Sequence, residues 1–258
     1  MTWQALVLAP LFTVAVPAAP VPPCPSSEEK PDLVALLNRT EQLLEGRSTR
    51  STLTMTISTS AWSRALKLKI LTRGRDLALI RVVEGAPRET GMMTLKRGEQ
   101  LWNYLPQAAR VMKLPSGMLG DSWMGSDFTN DDLVKGSSIV DDFAARHLGL
   151  VEKDGRSAWA IEMTPKAGAK VVWERVEMVL DRESCVPLEE RFFDDENKLA
   201  RRIEFSDIRQ VGWRKFPAKL TVVPTEAGRK TSLQYDDLEF DVEIPDETFS
   251  LKQLERGR

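Results

Sequence analysis

Few residues in this sequence are suited to covalent catalysis. The chain has 258 residues and one histidine, His147, so a triad of serine or cysteine with histidine has to use that residue. No GxSxG motif accompanies it, and the two cysteines form neither a CxxC pair nor a set of zinc ligands. A single histidine in a predicted strand is most often structural. We therefore predict that the protein is not an enzyme and uses no metal and no cofactor.

Acidic residues occur in adjacent pairs, at Asp131–Asp132, Asp141–Asp142, Asp194–Asp195 and Asp236–Asp237. Glycosidases need two carboxyl groups that face each other across a cleft, and adjacency in the sequence does not provide this. The acids that follow Asp127 lack the alternating spacing of a calcium loop. We interpret the pairs as solvated turns and helix starts.

The overall charge excludes one further class of function. The chain has 36 Lys and Arg residues against 38 Asp and Glu residues, which gives a formal net charge of −2. A nucleic-acid-binding domain would show an excess of basic residues. We therefore expect no nucleic-acid partner.

The unusual feature is the placement of large apolar residues. The stretch GMLGDSWMGSDFTNDDL, residues 117–133, holds Trp123, Met124 and Phe128 among glycines and aspartates, with no period of two or of 3.6. Its glycines follow no phosphate-binding pattern. Met adapts to irregular surfaces, and Trp joins a large apolar surface to one hydrogen-bond donor. Two interpretations stay open here, an ordinary core or a cavity that fits variable alkyl chains.

Alternating apolar and polar residues predict β-strands on both sides of this stretch. Six short strands are predicted between Ser51 and Pro115, and a second run of hairpin strands begins near His147. Residues 31–45 carry leucines at helical spacing and predict one amphipathic helix. The sequence thus predicts a mainly β (α+β) fold over residues 31–258, a single domain whose curved antiparallel sheet has one apolar and one solvated face.

The N-terminus predicts export. Residues 1–18 read as a signal peptide, because their apolar run has no charged residue and Val16 and Ala18 suit the −3 and −1 positions of a cleavage site. No Lys or Arg precedes the run, so a buried N-terminal segment is the alternative. Residues 19–30 are Pro-rich and predict a flexible connection. We expect a periplasmic protein.

The two cysteines allow more than one state. Cys24 and Cys185 can form a disulfide in an oxidising compartment or remain free, and the sequence does not decide between these. Cys24 could also carry a lipid anchor. The VPP sequence before it departs from the Leu-small-small pattern of lipoprotein signals, so we do not expect anchoring.

The central part of the chain resembles a known family. The order of motifs is similar to that of the outer-membrane lipoprotein-sorting family, relatives of the periplasmic lipoprotein carrier LolA, and the closing IPDETFSLKQL resembles that family's end. The similarity covers roughly Pro31 to Leu254. The motifs are Trp102, Tyr104-Leu105-Pro106, Arg110-Val111, Leu114-Pro115, Met124-Gly125-Ser126-Asp127-Phe128 and Asp132-Leu133.

This resemblance implies a half-open antiparallel β-barrel with helices and loops across its concave mouth. It implies a periplasmic carrier that binds the acyl chains of lipoproteins or other lipids, for transfer toward the outer membrane. An inner-membrane transporter and an outer-membrane acceptor are the implied partners. The alternative is a protein-binding regulatory or transporter-accessory module with the same fold, and hydrolysis through His147 ranks third.

The alternation of each strand selects candidate residues for the wall and the lid of such a cavity. Trp123, Met124 and Phe128 are the predicted lid, and Asp127 is expected to hold backbone amides of that loop. A phase error of one residue would turn a wall residue to the other face. The predicted wall residues are Leu53, Met55, Ile57, Leu66, Leu68, Ile70, Leu79, Trp102, Tyr104, Met112 and Leu114.

Overall fold

The structure is a computed structural model that describes Cys24 and residues 31–134 and 138–255. The predicted signal peptide and the rest of the Pro-rich segment lie outside these residues. The helices are α1 Leu33–Leu44, α2 Asn130–Val134, α3 Ile139–Asp142 and α4 Leu251–Glu255. The strands are β1 Ser48–Ser58, β2 Ser63–Arg73, β3 Leu77–Glu84, β4 Met93–Arg97, β5 Gln100–Leu105, β6 Arg110–Lys113, β7 Phe143–Lys153, β8 Arg156–Pro165, β9 Arg175–Asp181, β10 Pro187–Phe193, β11 Leu199–Val211, β12 Arg214–Pro224 and β13 Lys230–Phe240.

In the described part of the chain, thirteen strands form one antiparallel sheet in the order β6-β5-β4-β3-β2-β1-β13-β12-β11-β10-β9-β8-β7. Consecutive strands pair with each other except β6 and β7, and β1 pairs in addition with β13. The sheet does not close, and β6 and β7 are its two edges. This confirms the predicted mainly β fold, a half-open barrel with an N-terminal helix and short helices over its concave face.

The strand order places a demand on the connection between β6 and β7. These strands are consecutive in sequence but lie at opposite edges of the sheet. Residues 114–142, which we call the crossover segment, therefore have to pass over the whole sheet. Trp123 packs against β1–β3, Phe128 packs near β11 and β12, and Ile139 packs against the strands near β7. The stretch singled out in the sequence is thus the middle of this crossover.

Helix α1 covers the other end of the concave face. Asp32 caps its N-terminus by accepting hydrogen bonds from the amides of Val34 and Ala35. Leu36, Leu37 and Leu43 are buried. They belong to one apolar cluster with side chains of β8 and β9, which we call the α1 core. The leucine stripe predicted from helical spacing is therefore confirmed as a packing face.

A disulfide ties the chain before α1 to the opposite side of this core. Cys24 and Cys185 are bonded, with their Cα atoms 5.5 Å apart, and both side chains are buried in the α1 core. Thr40 of α1 donates to the carbonyl oxygen of Cys185 at 3.0 Å. The pairing that the sequence left open is present, and it leaves no free thiol on Cys24 for a lipid.

The C-terminal residues cover the convex face of β3–β5. Ile244, Phe249 and Leu254 pack with apolar side chains of these strands in a cluster that we call the C-terminal core. The expectation of one apolar and one solvated face is therefore wrong for β3–β5. Both faces of the sheet are covered there, one by the crossover segment and one by the C-terminus.

Reduction of the disulfide should destabilise the protein. Because the bond joins residues 161 positions apart, we expect reductant to lower the free energy of unfolding by about 2–5 kcal/mol. Guanidinium unfolding with and without dithiothreitol measures this. The double variant Cys24→Ser/Cys185→Ser should unfold at one midpoint in both conditions. Equal midpoints for the wild type with and without reductant would contradict the structure.

Candidate functional site

The two covers of the concave face touch at Glu41 and Ile139 but leave a space between them. The crossover segment packs over β1–β3 and α1 packs over β7–β9. Between them a cavity of about 370 Å³ remains above β8–β11. Binding sites for small molecules commonly enclose about 300–1,000 Å³ and are mainly apolar, so this space is large enough to hold a ligand.

Alternate residues of four neighbouring strands form the floor of the cavity. In the sheet register, Glu190 of β10 lies opposite Met178 of β9 and Ile203 of β11, and Phe192 lies opposite Val176 and Arg201. Successive side chains of a strand point to opposite faces, so these residues share the concave face. The floor residues are Met163, Val176, Met178, Glu190, Phe192, Arg201 and Ile203.

The walls come from the second half of the crossover segment, the first residue of β7 and one loop. Phe128 and Leu133 stand on one side, and Ile139 and Phe143 stand on the other. The connection between β8 and β9 adds Val171, Val172 and Trp173. Val172 is 58% exposed although it lines the cavity, so it lies at the rim.

One ion pair joins the crossover segment to the floor. Arg201 donates from both terminal nitrogens to the carboxylate oxygens of Asp132, at 2.8 and 2.7 Å. Its guanidinium carbon lies 4.9 Å from the ring centres of both Trp173 and Phe192. Asp132 also accepts from the amide of Thr129 and donates its own amide to the Thr129 hydroxyl, so the two residues cap the start of α2. Burial raises the pKa of Asp132, but the hydrogen bonds and charge of Arg201 outweigh it, so the pKa lies below its ordinary value.

Glu190 is the second charged residue of the floor, and its situation differs. No side chain or amide of the described residues forms a hydrogen bond with its carboxyl group. Burial raises its pKa from 4.5 to about 7, and the positive charge of Arg201 offsets only part of this effect. The cavity therefore contains a carboxyl group that is partly protonated near neutral pH.

The wall predicted from the sequence lies beside this cavity. Five of its residues form a closed core with Trp123, Ile80 and Val82, and Ile70 packs at its margin. We call this the β1–β3 core. None of the predicted wall residues lines the 370 Å³ cavity, because the crossover segment already fills the space above them. The five buried residues are Leu53, Met55, Ile57, Leu66 and Leu68.

Three predicted wall residues lie on the other face of the sheet. Leu79, Trp102 and Tyr104 pack in or against the C-terminal core, so their assignment to the concave wall is corrected. Alternation could not assign the face of β3 because this strand has apolar residues on both faces, with Leu79 on one and Ile80 on the other.

Two further predicted wall residues lie at the edge of the sheet. Met112 is exposed on the edge strand β6. Leu114, just beyond it, is half-buried and donates its amide to the carbonyl oxygen of Leu101 at 2.9 Å.

The predicted lid residues lie over the concave face. Trp123 is buried in the β1–β3 core and donates from its ring nitrogen to Thr94 of β4 at 3.3 Å. Met124 packs against the same core, and its carbonyl oxygen accepts from Arg64 of β2 at 2.6 Å. Phe128 alone among these three residues lines the cavity. Trp123 and Met124 therefore pack on the sheet, and Phe128 forms a wall.

Asp127 has a different role from the one expected. Its carboxylate accepts from the hydroxyl of Thr231 at 2.6 Å and pairs with Arg229, both of which lie at the start of β13. Among the described residues, no loop amide donates to its carboxylate. Arg229 also donates to the carbonyl oxygen of Gly125 at 2.9 Å. Asp127 thus fastens the crossover segment to the sheet.

His147 lies outside the cavity. It belongs to β7, and its ring meets the edge of Trp159 with the ring centres 5.2 Å apart. Among the described residues, no three His, Cys, Asp or Glu side chains are grouped so that they could hold a metal ion. No helix of the described ranges is long and apolar enough to cross a membrane.

The charged floor residues were missed by the sequence reasoning, although a signal was present. Arg201 stands in phase with Ile203 and Phe205, and Glu190 stands in phase with Phe192. A charged residue in phase with the apolar side of a strand is buried unless the strand is at an exposed edge.

Comparison with known proteins supports the fold. A protein-family model whose description is "Uncharacterized protein" matches residues 74–256, more than half of the chain. No curated protein matches. A DUF1329 family protein from Desulfovibrio piger has a similar structure, with a TM-score of 0.77 and 22% identity over 86% of this chain and 97% of that one.

Two other solved structures are also similar. One, from Vibrio parahaemolyticus, is assigned as an outer membrane lipoprotein-sorting protein domain, with a TM-score of 0.73 and 21% identity over 86% of this chain and 98% of that one. The other is a LolA superfamily protein from Nitrosomonas europaea, with a TM-score of 0.70 and 16% identity over 85% and 97%. These similarities establish a LolA-like fold.

Glu190 should make stability depend on pH. Between pH 4.5, its ordinary pKa, and about 7, the folded protein keeps a proton that the unfolded chain has lost. The free energy of unfolding should therefore fall as the pH rises through this range and stay level above it. Glu190→Gln should remove this slope and be more stable than the wild type at pH 8 by about 2 kcal/mol. Urea unfolding from pH 4 to pH 8 measures both.

The control for this experiment is Glu204→Gln. Glu204 is exposed on the convex face of β11, so its substitution should leave the pH profile as it is in the wild type. Parallel profiles for the wild type and Glu190→Gln would show that Glu190 does not titrate with a raised pKa.

Proposed function

The chain belongs to the family whose model matches residues 74–256, and we propose that it is a periplasmic carrier that holds alkyl chains in the cavity of its LolA-like fold. The ligands would be the acyl chains of lipoproteins or other lipids. The observation that carries the proposal is the cavity of about 370 Å³ on the concave face, lined mainly by apolar side chains. An apolar chain bound there would be shielded from water, and its binding would require no covalent bond.

The energy of such binding is adequate for a carrier. Each buried methylene group contributes about 0.8 kcal/mol, so a segment of about ten groups contributes about 8 kcal/mol before costs. Ordering the chain and the rim consumes part of this. The remainder would shield a chain from water and still permit its release to an acceptor that covers it better.

The crossover segment offers room for a longer chain. Trp123 lies on the β1–β3 core, beside the cavity wall formed by Phe128. In our proposal, movement of Trp123 and Met124 away from the sheet would join the surface of Leu53, Met55 and Leu66 to the cavity. The predicted wall and lid residues would then line one continuous apolar trough.

Two observations support the periplasm as the location. The disulfide between Cys24 and Cys185 is typical of an oxidising compartment. The apolar residues 1–18 are suited to export. The transfer would then run from an inner-membrane transporter to an outer-membrane acceptor, and these partners are part of the proposal.

A protein-binding module is the second candidate. Leu148, Leu150 and Val151 are exposed on β7, which is an unpaired edge of the sheet. An edge strand with exposed apolar residues can add a strand from another protein. This reading would give the fold a regulatory or transporter-accessory role.

Extraction of the purified protein tests the carrier proposal. The full chain of 258 residues should be expressed and purified without detergent, and its organic extract analysed by mass spectrometry. We expect alkyl lipids in the extract in amounts comparable to the protein. An extract without lipid, together with no binding of a fluorescent alkyl probe, would contradict the proposal. A stoichiometric protein partner without lipid would favour the second candidate.

A substitution at the rim should weaken binding without affecting the core. Val172→Asp places a charge at the rim of the cavity, so it should reduce the affinity for a neutral pyrene-labelled alcohol about tenfold. Val34→Asp is the matched control. Val34 is 57% exposed, close to the 58% of Val172, but lies on α1 outside the cavity. Equal affinities of the two variants for the probe would show that the probe does not bind in this cavity.

A further inference from the structure

The connection between β8 and β9 is longer than the pairing of these strands requires. The two strands are antiparallel neighbours, and residues 166–174 join them. The preceding hairpin, between β7 and β8, turns with Asp154 and Gly155 alone. Hairpin connections usually have about two to five residues, and longer surface loops commonly carry function. We call residues 166–174 the strap, and its extra length lets it extend away from the two strands.

The strap reaches the far side of the concave mouth. Lys170 donates from Nζ to a carboxylate oxygen of Glu99 at 3.0 Å. Glu99 lies in the turn between β4 and β5, and in the order of the sheet β4 is separated from β8 by β3, β2, β1, β13, β12, β11, β10 and β9. A contact between parts of the sheet so far apart in this order has to pass across the open side of the half-barrel. The strap therefore bridges the mouth.

The strap also lies over the cavity. Val171, Val172 and Trp173 line it. Val171 and Trp173 pack against the α1 core, whereas Val172 is exposed. The strap thus stands between the cavity and solvent, so its movement away from the sheet would open the cavity.

Polar bonds hold the two ends of the strap. The amide of Lys166 donates to the carbonyl oxygen of Asp142 at 2.8 Å, and its Nζ donates to the carbonyl oxygen of Val140 at 2.8 Å. At the other end, the amide of Glu174 donates to the carbonyl oxygen of Phe193 at 3.1 Å. These bonds fix the points at which the strap leaves the rest of the fold and returns to it.

The middle of the strap is attached more weakly. Within the described part of the chain, no backbone hydrogen bond joins residues 167–172 to another element of the fold. The packing of Val171 and the pair of Lys170 with Glu99 hold this part, and the two side chains of the pair are 78% and 75% exposed. Ion pairs that are so exposed add little to stability and are screened by salt. The middle of the strap can therefore detach while its ends stay in place.

The crossover segment, which is the other cover next to the cavity, is fixed more firmly. Asp132 pairs with Arg201 through side chains that are largely buried, and Trp123 is buried in the β1–β3 core. Lifting this segment would break a charged contact and expose a large apolar side chain to water. The strap is thus the cover that opens at the lower cost.

We propose that the strap is the gate of the cavity: release of Lys170 from Glu99 frees residues 167–172, which move away from the sheet and let an alkyl chain enter or leave while the crossover segment stays in place. The inference rests on the proposed function and assigns the path by which its ligand exchanges. Gly168 has a φ of +85°, and a side chain added there would meet nothing within 4 Å. The backbone can therefore change direction at this position with little steric cost.

A covalent link between Lys170 and Glu99 tests the gate. The full chain is loaded with a neutral pyrene-labelled alcohol and treated with a water-soluble carbodiimide, which condenses the amine and the carboxyl group to an amide and takes up the released water to become a urea. Peptide mapping by mass spectrometry gives the linked fraction. When the protein is mixed with excess dodecan-1-ol, we expect the linked fraction to release the labelled alcohol about tenfold more slowly than untreated protein. The amplitude of this slow phase should equal the linked fraction.

Lys170→Arg is the matched control for the link. Arginine keeps the positive charge beside Glu99, but its guanidinium group stays protonated and does not couple to a carboxylate. The other carboxyl groups of this variant react as they do in the wild type. Treatment should therefore leave its release rate unchanged.

Reversal of one charge should have the opposite effect. Lys170→Glu places two carboxylates together, so it should release the alcohol about two- to fivefold faster than the wild type at low salt. The double variant Lys170→Glu/Glu99→Lys restores the pair and should restore the rate. Release from the wild type should accelerate between about 20 and about 300 mM salt, because salt screens the pair. Lys170→Ala should respond less to salt.

The outcomes distinguish the gate from the proposed function. If the alcohol binds and the linked protein releases it at the rate of untreated protein, the strap is not the gate and the carrier proposal stands. A treated wild type without the link would contradict the contact between Lys170 and Glu99 and would overturn the inference as well. If the untreated chain binds no alcohol, the carrier proposal and the inference fail together.

Discussion

The order of the strands is the constraint on which the rest of the structure depends. Because β6 and β7 are consecutive in sequence and lie at opposite edges of the sheet, residues 114–142 have to cross the concave face. The apolar face of a sheet has to be shielded from water, and the crossover segment, which connects β6 to β7, shields part of it. Covalent continuity thus guarantees that the cover stays with the sheet, whereas its position on the sheet is set by side-chain contacts.

Those contacts are distributed along the crossover and differ in kind. Trp123 adds apolar burial near β1–β3, Asp127 is bonded to β13, and Asp132 is paired with Arg201 of β11. Further along, Glu41 of α1 accepts from the amide of Ile139 at 2.6 Å. Polar bonds of this sort have direction and fix position, whereas apolar burial is non-directional. The described part of the segment is therefore held in one place, and the space that it leaves open next to α1 has a defined shape.

The cavity combines an apolar surface with two kinds of charged group, an ion pair and a carboxyl group without a hydrogen-bond partner among the described residues. The Arg201–Asp132 pair is satisfied by two hydrogen bonds and stacks on aromatic rings, so its charges are compensated within the protein. Glu190 lies on the neighbouring strand and has no such compensation among the described residues. A low-dielectric surrounding strengthens a paired charge and penalises an unpaired one. The floor of the cavity therefore has one charged side chain that hydrogen bonds hold in place and, on the next strand, one that no described residue holds by a hydrogen bond.

The local patterns of the sequence determined the type of each element. Helical spacing predicted α1 and alternation predicted the strands, because each pattern depends on neighbours within a few residues. The tertiary structure decided which strands are edges and what covers each face. Leu79 and Ile80 of β3 are both apolar, and only the C-terminal residues on one side and Trp123 on the other show why. The cavity also belongs to this second group, since its floor and walls are joined by contacts between residues far apart in the chain, which no short-range pattern encodes.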